Sequence, residues 1–168
     1  MKKYLLIVSV LIIGLICLSC SNQRKNGEWR YLEEAKRYNV KVAGEFHESN
    51  MKPEKSEFYI ELESTMLRII TKQHFGVFKS DDTWKVTFDF GNNKSEDYYT
   101  NLIFNSSEFK GIFFKYDWQN YEDILNQLLK NDNAKIEISN ENNHGYYFTI
   151  NKFDLKKFRE LYQKNGLK

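Results

Sequence analysis

Apolar residues alternate with polar ones along several short stretches of this chain, and this period of two constrains the fold more than any other feature. The clearest stretch is 84–90, which reads WKVTFDF and places a large apolar residue at every second position. Successive side chains of a strand point to opposite faces, so strict alternation is typical of a half-buried strand. The glycine and two asparagines at 91–93 supply turn chemistry. A strand that ends in a tight turn is therefore predicted here.

The same pattern, with turn residues between the segments, predicts most of the remaining structure. Strands are predicted near 40–42, 58–62, 67–70, 98–104 and 111–116, and a hairpin from 134–139 with 146–150. The stretch 29–38 fits either a short helix or a first strand. Two late segments have helical spacing instead. One carries Ile124, Leu125, Leu128 and Leu129 after a capping Asn120, and the other begins at Asp154 and ends before Gly166.

These elements predict a mainly β (α+β) fold, an antiparallel β-sandwich with two short helices near the C-terminus. Aromatic residues make up 16% of the chain, and they favour strands. No internal repeat or second domain is evident. The expected organisation is a signal peptide at 1–19, a tether at 20–28 and a single β-rich domain at 29–168.

The N-terminus predicts export. Lys2 and Lys3 precede an uncharged run at 4–18, which is shorter than the roughly 20 apolar residues of a membrane-spanning helix. Ser19 and Cys20 follow, and this order resembles the lipobox of bacterial lipoproteins, although Cys17 stands where that family prefers leucine. The resemblance implies that Cys20 is acylated and becomes the first residue. Ordinary cleavage near position 19 or 21, or an uncleaved anchor, are the alternatives.

Maturation before Cys20 changes what composition implies. It removes both lysines of the signal, and with them the formal net charge of +2. A neutral mature surface argues against nucleic acid as a partner. Cys17 leaves as well, so no free thiol remains. Ser21 is not the aspartate that resembles an inner-membrane retention signal, which favours the outer membrane, facing the periplasm, if the source has two membranes.

The second half of the chain resembles a known fold. Four predicted elements follow one another here. They are a strand with Phe88-Asp89-Phe90-Gly91, a leucine-bearing helix at 124–133, the strand AKIEIS and the ending at 146–153. This succession is similar to the β-sandwich domain of invasion-associated locus B-like and type VI secretion accessory (TagO-like) proteins. The resemblance implies the sandwich fold and a cell-envelope location, and no catalytic residues. Members of those families often carry a disulfide, which this chain cannot form.

No set of residues indicates catalysis or a cofactor. His47, His74 and His144 have no metal-ligand spacing, and the adjacent acidic pairs are typical of solvated turns. No nucleophile elbow or phosphate-binding glycine loop is present. We therefore expect neither an enzyme nor a metal site, and no cofactor.

Aromatic residues near strand ends form the candidate binding surface. They are Tyr98, Tyr99, Trp118, Tyr146 and Tyr147. Neighbouring residues of a strand point to opposite faces, so one member of each tyrosine pair must point away from the core. Such side chains are suited to binding a protein, peptide or sugar, but they also line the second face of many β domains.

The expected function is therefore that of a non-enzymatic lipoprotein, anchored to the membrane through Cys20, which binds a protein partner as an accessory subunit of the cell envelope. An inhibitor or immunity lipoprotein against an extracytoplasmic toxin or lytic enzyme is the alternative. An envelope hydrolase is the third hypothesis.

Overall fold

The computed structural model describes residues 25–73, 75–91, 93–115, 119–142 and 145–166. They form ten strands, two α-helices and a 3-10 turn at Phe75–Val77. The strands are β1 (Arg30–Leu32), β2 (Arg37–Glu48), β3 (Glu54–Leu62), β4 (Met66–Thr71), β5 (Trp84–Gly91), β6 (Lys94–Thr100), β7 (Ile103–Asn105), β8 (Lys110–Lys115), β9 (Asn133–Asn140) and β10 (Tyr146–Asp154), and the helices are α1 (Gln119–Lys130) and α2 (Lys156–Asn165).

All ten strands belong to one sheet, and every hydrogen-bonded pair in it is antiparallel. The strand order is β6-β5-β9-β10-β2-β3-β4-β8-β7, and β1 pairs with the start of β2. The mainly β class with two late helices is confirmed. The division into two separate sheets is not confirmed, because one continuous ladder of strand pairs joins all the strands.

The sheet curls, so that strands near its two ends meet. The ring of Tyr98 on β6 lies 6.4 Å from that of Phe114 on β8. At the end of β6, Thr100 Oγ1 donates to the Phe113 carbonyl oxygen at 3.1 Å. The concave space inside the curl holds the core.

The predicted alternation accounts for this core. Strand β5 buries Trp84, Val86, Phe88 and Phe90, and β3 buries Phe58, Ile60 and Leu62. Each set lies on one face of its strand, as a period of two requires. Nearly all buried apolar residues of the described chain form one cluster on the inner face of the sheet, and Ile70 is a buried residue outside it.

Both helices close this core. Ile124 and Leu128 of α1 are buried, as their helical spacing predicts, and Phe158 of α2 packs on Trp29 with ring centroids 4.7 Å apart. Tyr38 donates its hydroxyl to the Gly166 carbonyl oxygen at 2.6 Å, and burial raises its pKa to about 12. The helices thus leave the opposite, outer face of the sheet uncovered by any described helix.

Three boundaries differ from the predictions, and one stretch that the sequence left open contains strands. The stretch 98–104 is two strands, because the Thr100 hydroxyl also accepts the Leu102 N–H at 3.1 Å and bends the chain. The ambiguous stretch 29–38 contains β1 and the start of β2. Asn120 lies inside α1 and donates its side-chain amide to the Tyr99 carbonyl oxygen. Asp154 ends β10, and its carboxylate accepts the N–H of Lys156 at 2.6 Å where α2 begins.

Candidate binding face

The structure separates the five aromatic candidates. Tyr98 is 4% exposed and donates its hydroxyl to Asp123 at 2.9 Å, and both burial and this bond raise its pKa. Tyr146 is half-buried, and its hydroxyl donates to the Val77 carbonyl oxygen at 2.8 Å. Both rings pack against the core, so they offer little surface to a partner. Trp118 and the lipidation residue Cys20 lie outside the described residues.

Tyr99 and Tyr147 instead point to solvent, with 47% and 38% of their surface exposed. Strand register places them in one line across the outer face. Tyr99 pairs with Lys85, Lys85 with Ser139, Ser139 with Tyr147, and Tyr147 with His47. These five residues, called here the tyrosine row, cross five adjacent strands. Three strand spacings separate the two tyrosines, which is about 14 Å.

The position of the Tyr147 ring is fixed by its neighbours. It stacks on the His47 imidazole with centroids 4.3 Å apart and planes 3° from parallel. His47 Nε2 lies 3.1 Å from Thr149 Oγ1, which holds the imidazole in turn. On the other side stands Ser139, whose side chain is small. The stack on His47 therefore restricts the rotamers open to the ring, while 38% of the Tyr147 surface stays exposed.

An ion pair accompanies the Tyr99 end of the row. Lys85 Nζ lies 3.0 Å from Asp97 Oδ2, and Thr87 Oγ1 donates to Asp97 Oδ1 at 2.6 Å. The bond from Thr87, followed by that from Lys85, holds the pKa of Asp97 below its usual range. The hydrogen bond to Asp97 raises the pKa of Lys85. Both groups are therefore charged at neutral pH, and the pair adds no net charge beside the tyrosine.

Polar groups form a second line beside the tyrosine row. The paired residues are Asp97, Thr87, Glu137, Thr149 and Glu45. Each is one pleat away from the row and lies on the same face. Two exposed tyrosine rings thus lie beside a line of hydrogen-bonding side chains that crosses the same five strands. This combination suits a protein surface, where aromatic anchors supply energy and polar groups supply register.

A second feature lies towards the other end of the same face. Glu61 is only 8% exposed, although it faces outward. Its carboxylate accepts the Asn39 amide at 3.0 Å and lies 3.2 Å from Arg37 Nη1 and 2.9 Å from Arg68 Nη2. Glu63 pairs with both arginines as well. Four charges therefore form one partly buried network on the outer face.

Aromatic side chains surround this network. The Arg68 guanidinium lies over the Phe104 ring at 5.3 Å, and Lys72 Nζ lies 4.8 Å from the centre of the Phe109 ring. The Phe109 ring in turn meets Tyr59 edge to face at 5.8 Å. The recess has a volume of about 430 Å³ and is called here the arginine pocket. Its lining residues are Arg37, Tyr59, Glu61, Arg68, Ile70, Lys72, Phe104 and Phe109.

Sequence reasoning did not find the arginine pocket. Its charged lining residues are Arg37 of β2, Glu61 of β3, Arg68 of β4 and Lys72, which follows β4. Those within the strands alternate along the chain with buried neighbours. That pattern alone indicates a solvated face. Only the register, which sets Asn39 beside Glu61 and Glu61 beside Arg68, brings these charges together. The signal available in the sequence was the repeated charge at these positions.

Comparisons with known proteins assign neither surface. The sequence matches no protein-family model and no curated protein, and no solved structure matches the chain. Within the described ranges, no three histidine, cysteine or acidic side chains lie together as a metal site would need. None of the helices in that part of the chain is both long enough and apolar enough to cross a bilayer.

Proposed function

We propose that this chain is a non-enzymatic lipoprotein of the cell envelope, tethered through acylated Cys20, which binds a protein partner on the outer face of its sheet. The observation that carries the binding proposal is the tyrosine row. Tyr99 and Tyr147 are large, exposed and in one line on a continuous sheet surface. Isolated exposed apolar residues are ordinary, but two exposed rings in register on one face are typical of interface anchors.

The area of the face supports a protein rather than a small ligand. The tyrosine row alone crosses five strands, or about 19 Å. Its side chains lie on one continuous sheet surface. Standard protein interfaces bury about 800 Å² on each partner, which such a surface can supply. A small-molecule site, by contrast, is usually concave and encloses most of its ligand.

The predicted tether ends against the sheet that carries the proposed binding face. Gly27, near the end of the predicted tether, donates its N–H to the Lys41 carbonyl oxygen at 2.7 Å and so already contacts the sheet. Two or three acyl chains on Cys20 would hold the protein at a membrane far more firmly than one. The proposal includes the outer membrane as location where the source has two membranes.

The same proposal includes the finer architecture, in which the two halves of the curled sheet face each other as in a sandwich. The contact of Tyr98 with Phe114 supports it, because these residues come from opposite ends of the strand order. Facing sheets pack about 10 Å apart. A crystal structure that measures this separation across the core tests the statement.

The anchor is tested by metabolic labelling with a palmitate analogue. Cys20→Ala should abolish the label and release the protein from the membrane fraction. Cys17→Ala is the matched control, since it removes a thiol three residues away and should keep both label and anchor. Equal labelling of the two variants, or no labelling of the native chain, would contradict the lipoprotein assignment.

The binding face is tested by affinity capture with the acylated protein and quantitative mass spectrometry. The double variant Tyr99→Ser/Tyr147→Ser should lower recovery of the partner at least tenfold, because a hot-spot side chain, of which tyrosine is a common type, contributes about 2 kcal/mol or more. Met51→Ser is the control, since Met51 is also exposed and apolar but lies outside the row. The identity of the partner separates an accessory subunit from an inhibitor of a lytic enzyme. Unchanged recovery by the double variant would refute the assigned face.

A further inference from the structure

The arginine pocket contains charges that the outer face of a sheet does not ordinarily bury. Such a face usually carries solvated polar residues. Here Asn39 and Glu61 are almost fully covered, and the side chain of Arg68 keeps only 13% of its surface exposed. Removal of charges from water is unfavourable unless partners compensate them. In the arginine pocket the compensating partners are glutamates paired with arginines.

The two arginines use only part of their donors. Arg37 reaches Glu61 and Glu63 through Nη1, and Arg68 reaches the same two carboxylates through Nη2. A guanidinium has five N–H donors. The Nε of each arginine is buried without a hydrogen-bond partner among the described residues. The guanidiniums are thus held in place by glutamates while further donors remain on their other terminal nitrogens.

Lys72 gives the pocket a positive excess. The two arginines and two glutamates balance, whereas no carboxylate in the described part of the chain pairs with Lys72. Its ammonium lies over the Phe109 ring instead. Of the residues that line the recess, three are cationic and one is anionic. An anionic group is therefore the complementary occupant, with an apolar group beside it to meet the phenylalanine rings.

We propose that the arginine pocket binds an acidic side chain of a protein partner, with an adjacent aromatic side chain packed against Phe104 and Phe109. The proposal rests on the proposed function in that the ligand belongs to a protein. Carboxylates are bound strongly by guanidinium and ammonium donors in a partly desolvated site. The volume of about 430 Å³ is within the range of sites that enclose small groups.

One partner can reach both surfaces. Tyr59, in the pocket, pairs with Lys41 of β2, and Tyr147, in the tyrosine row, pairs with His47 of the same strand. Six residues along a strand cover about 20 Å. An interface of standard size spans this distance. The acidic segment would fix the orientation of a partner that the tyrosines hold, since charged contacts contribute mainly specificity.

The test uses two peptides that differ only in charge, Ac-Ala-Phe-Glu-Phe-Ala-NH2 and Ac-Ala-Phe-Gln-Phe-Ala-NH2. The full chain in detergent is labelled with carbon-13 at isoleucine methyl groups. Ile70 lines the pocket, and Ile136 on β9 is the reference. The glutamate peptide should shift the Ile70 methyl signal saturably and bind at least fivefold more tightly than the glutamine peptide. Ile136 should not respond.

Three variants make the result specific. Lys72→Gln should weaken binding of the glutamate peptide about threefold, which corresponds to the loss of one exposed ion pair. Binding of the glutamine peptide should not change. Lys152→Gln is the matched control, because Lys152 is exposed on β10 and lies outside the pocket, and it should change neither affinity. Tyr99→Ser/Tyr147→Ser should also leave peptide binding unchanged, so failure of the tyrosine row and failure of this site remain distinguishable.

The inference is overturned if both peptides bind equally, or if Ile70 does not respond at the solubility limit of the glutamate peptide. Equal weakening by Lys72→Gln and Lys152→Gln would also overturn it, since that result describes a general charge effect. Binding that persists in Lys72→Gln with its full charge preference would do the same.

Discussion

Substitution of Glu61 by glutamine tests the charge network most sharply, because it removes a charge and keeps the shape. The Glu61 carboxylate accepts from Asn39 at 3.0 Å and pairs with Arg37 and Arg68. The glutamine oxygen can still accept from Asn39, so the loss falls on the two arginine pairs. Removal of one partner from a buried ion pair costs about 3–5 kcal/mol. Glu63 continues to hold both guanidiniums, so we expect the lower end, about 3 kcal/mol.

The assay is urea unfolding followed by tryptophan fluorescence, since Trp29 and Trp84 are buried and report loss of the core. With a slope of about 1–3 kcal/mol per molar urea, the midpoint should fall by at least about 1 M. Glu57→Gln is the matched control on the same strand, because Glu57 pairs with Lys41 at 2.6 Å but has 59% of its side chain exposed. We expect a loss below about 1 kcal/mol for the control. Equal small losses for the two variants would refute the account of Glu61 as a desolvated charge.

Three further predictions concern strand packing, the helix contact and pH. Gly111→Ala should lower the free energy of unfolding by about 2 kcal/mol, because a Cβ there would overlap the β4 backbone. A Cβ at Gly76 meets no atom within 4 Å, so Gly76→Ala should be nearly neutral. Equal effects of the two variants in thermal melts would contradict the close packing at Gly111. Tyr98→Phe should cost about 1 kcal/mol in the same melts through loss of its hydrogen bond to α1, and an unchanged melting temperature would argue against that bond. The Asp97 carboxyl should titrate below about 3.9 by NMR, and Thr87→Val should raise its titration midpoint. Because the folded pKa is depressed, Asp97 stabilises the fold at pH values above its unfolded pKa, and this stabilisation is lost as the pH falls through the folded pKa. A midpoint at or above about 3.9 would contradict the contact with Thr87.

Local pattern predicted the strands because burial on one face imposes it directly. The alternation at 84–90 placed Trp84 to Phe90 correctly, and the helical spacing of Ile124 and Leu128 placed α1 on the core. The break after Thr100 was missed, because it depends on the Thr100 hydroxyl, which bonds to the Leu102 N–H and to the Phe113 carbonyl oxygen of β8. The curl of the sheet was missed because it depends on the strand order. Strand β5 pairs with β9 as well as with its sequence neighbour β6, and local pattern does not show such pairings.

The candidate site was predicted in part. Parity along a strand required one tyrosine of each pair to face outward, and Tyr99 and Tyr147 do so. Alternation along a strand could not predict that the two tyrosines share a row, because the row depends on three successive pairings that link β6, β5, β9 and β10. The arginine pocket was not predicted, because the repeated charges in the sequence do not show which of them meet. Glu61 reads as an ordinary solvated glutamate until register sets it between two arginines.

We propose above that a protein partner lies on the tyrosine row. Site-specific photo-crosslinking in intact cells measures this most directly, with p-benzoylphenylalanine in place of Tyr99, Tyr147 or, as control, Met51. We expect crosslinks to the same partner from positions 99 and 147 and none to that partner from position 51. No product at 99 and 147, or the same products at all three positions, would contradict it.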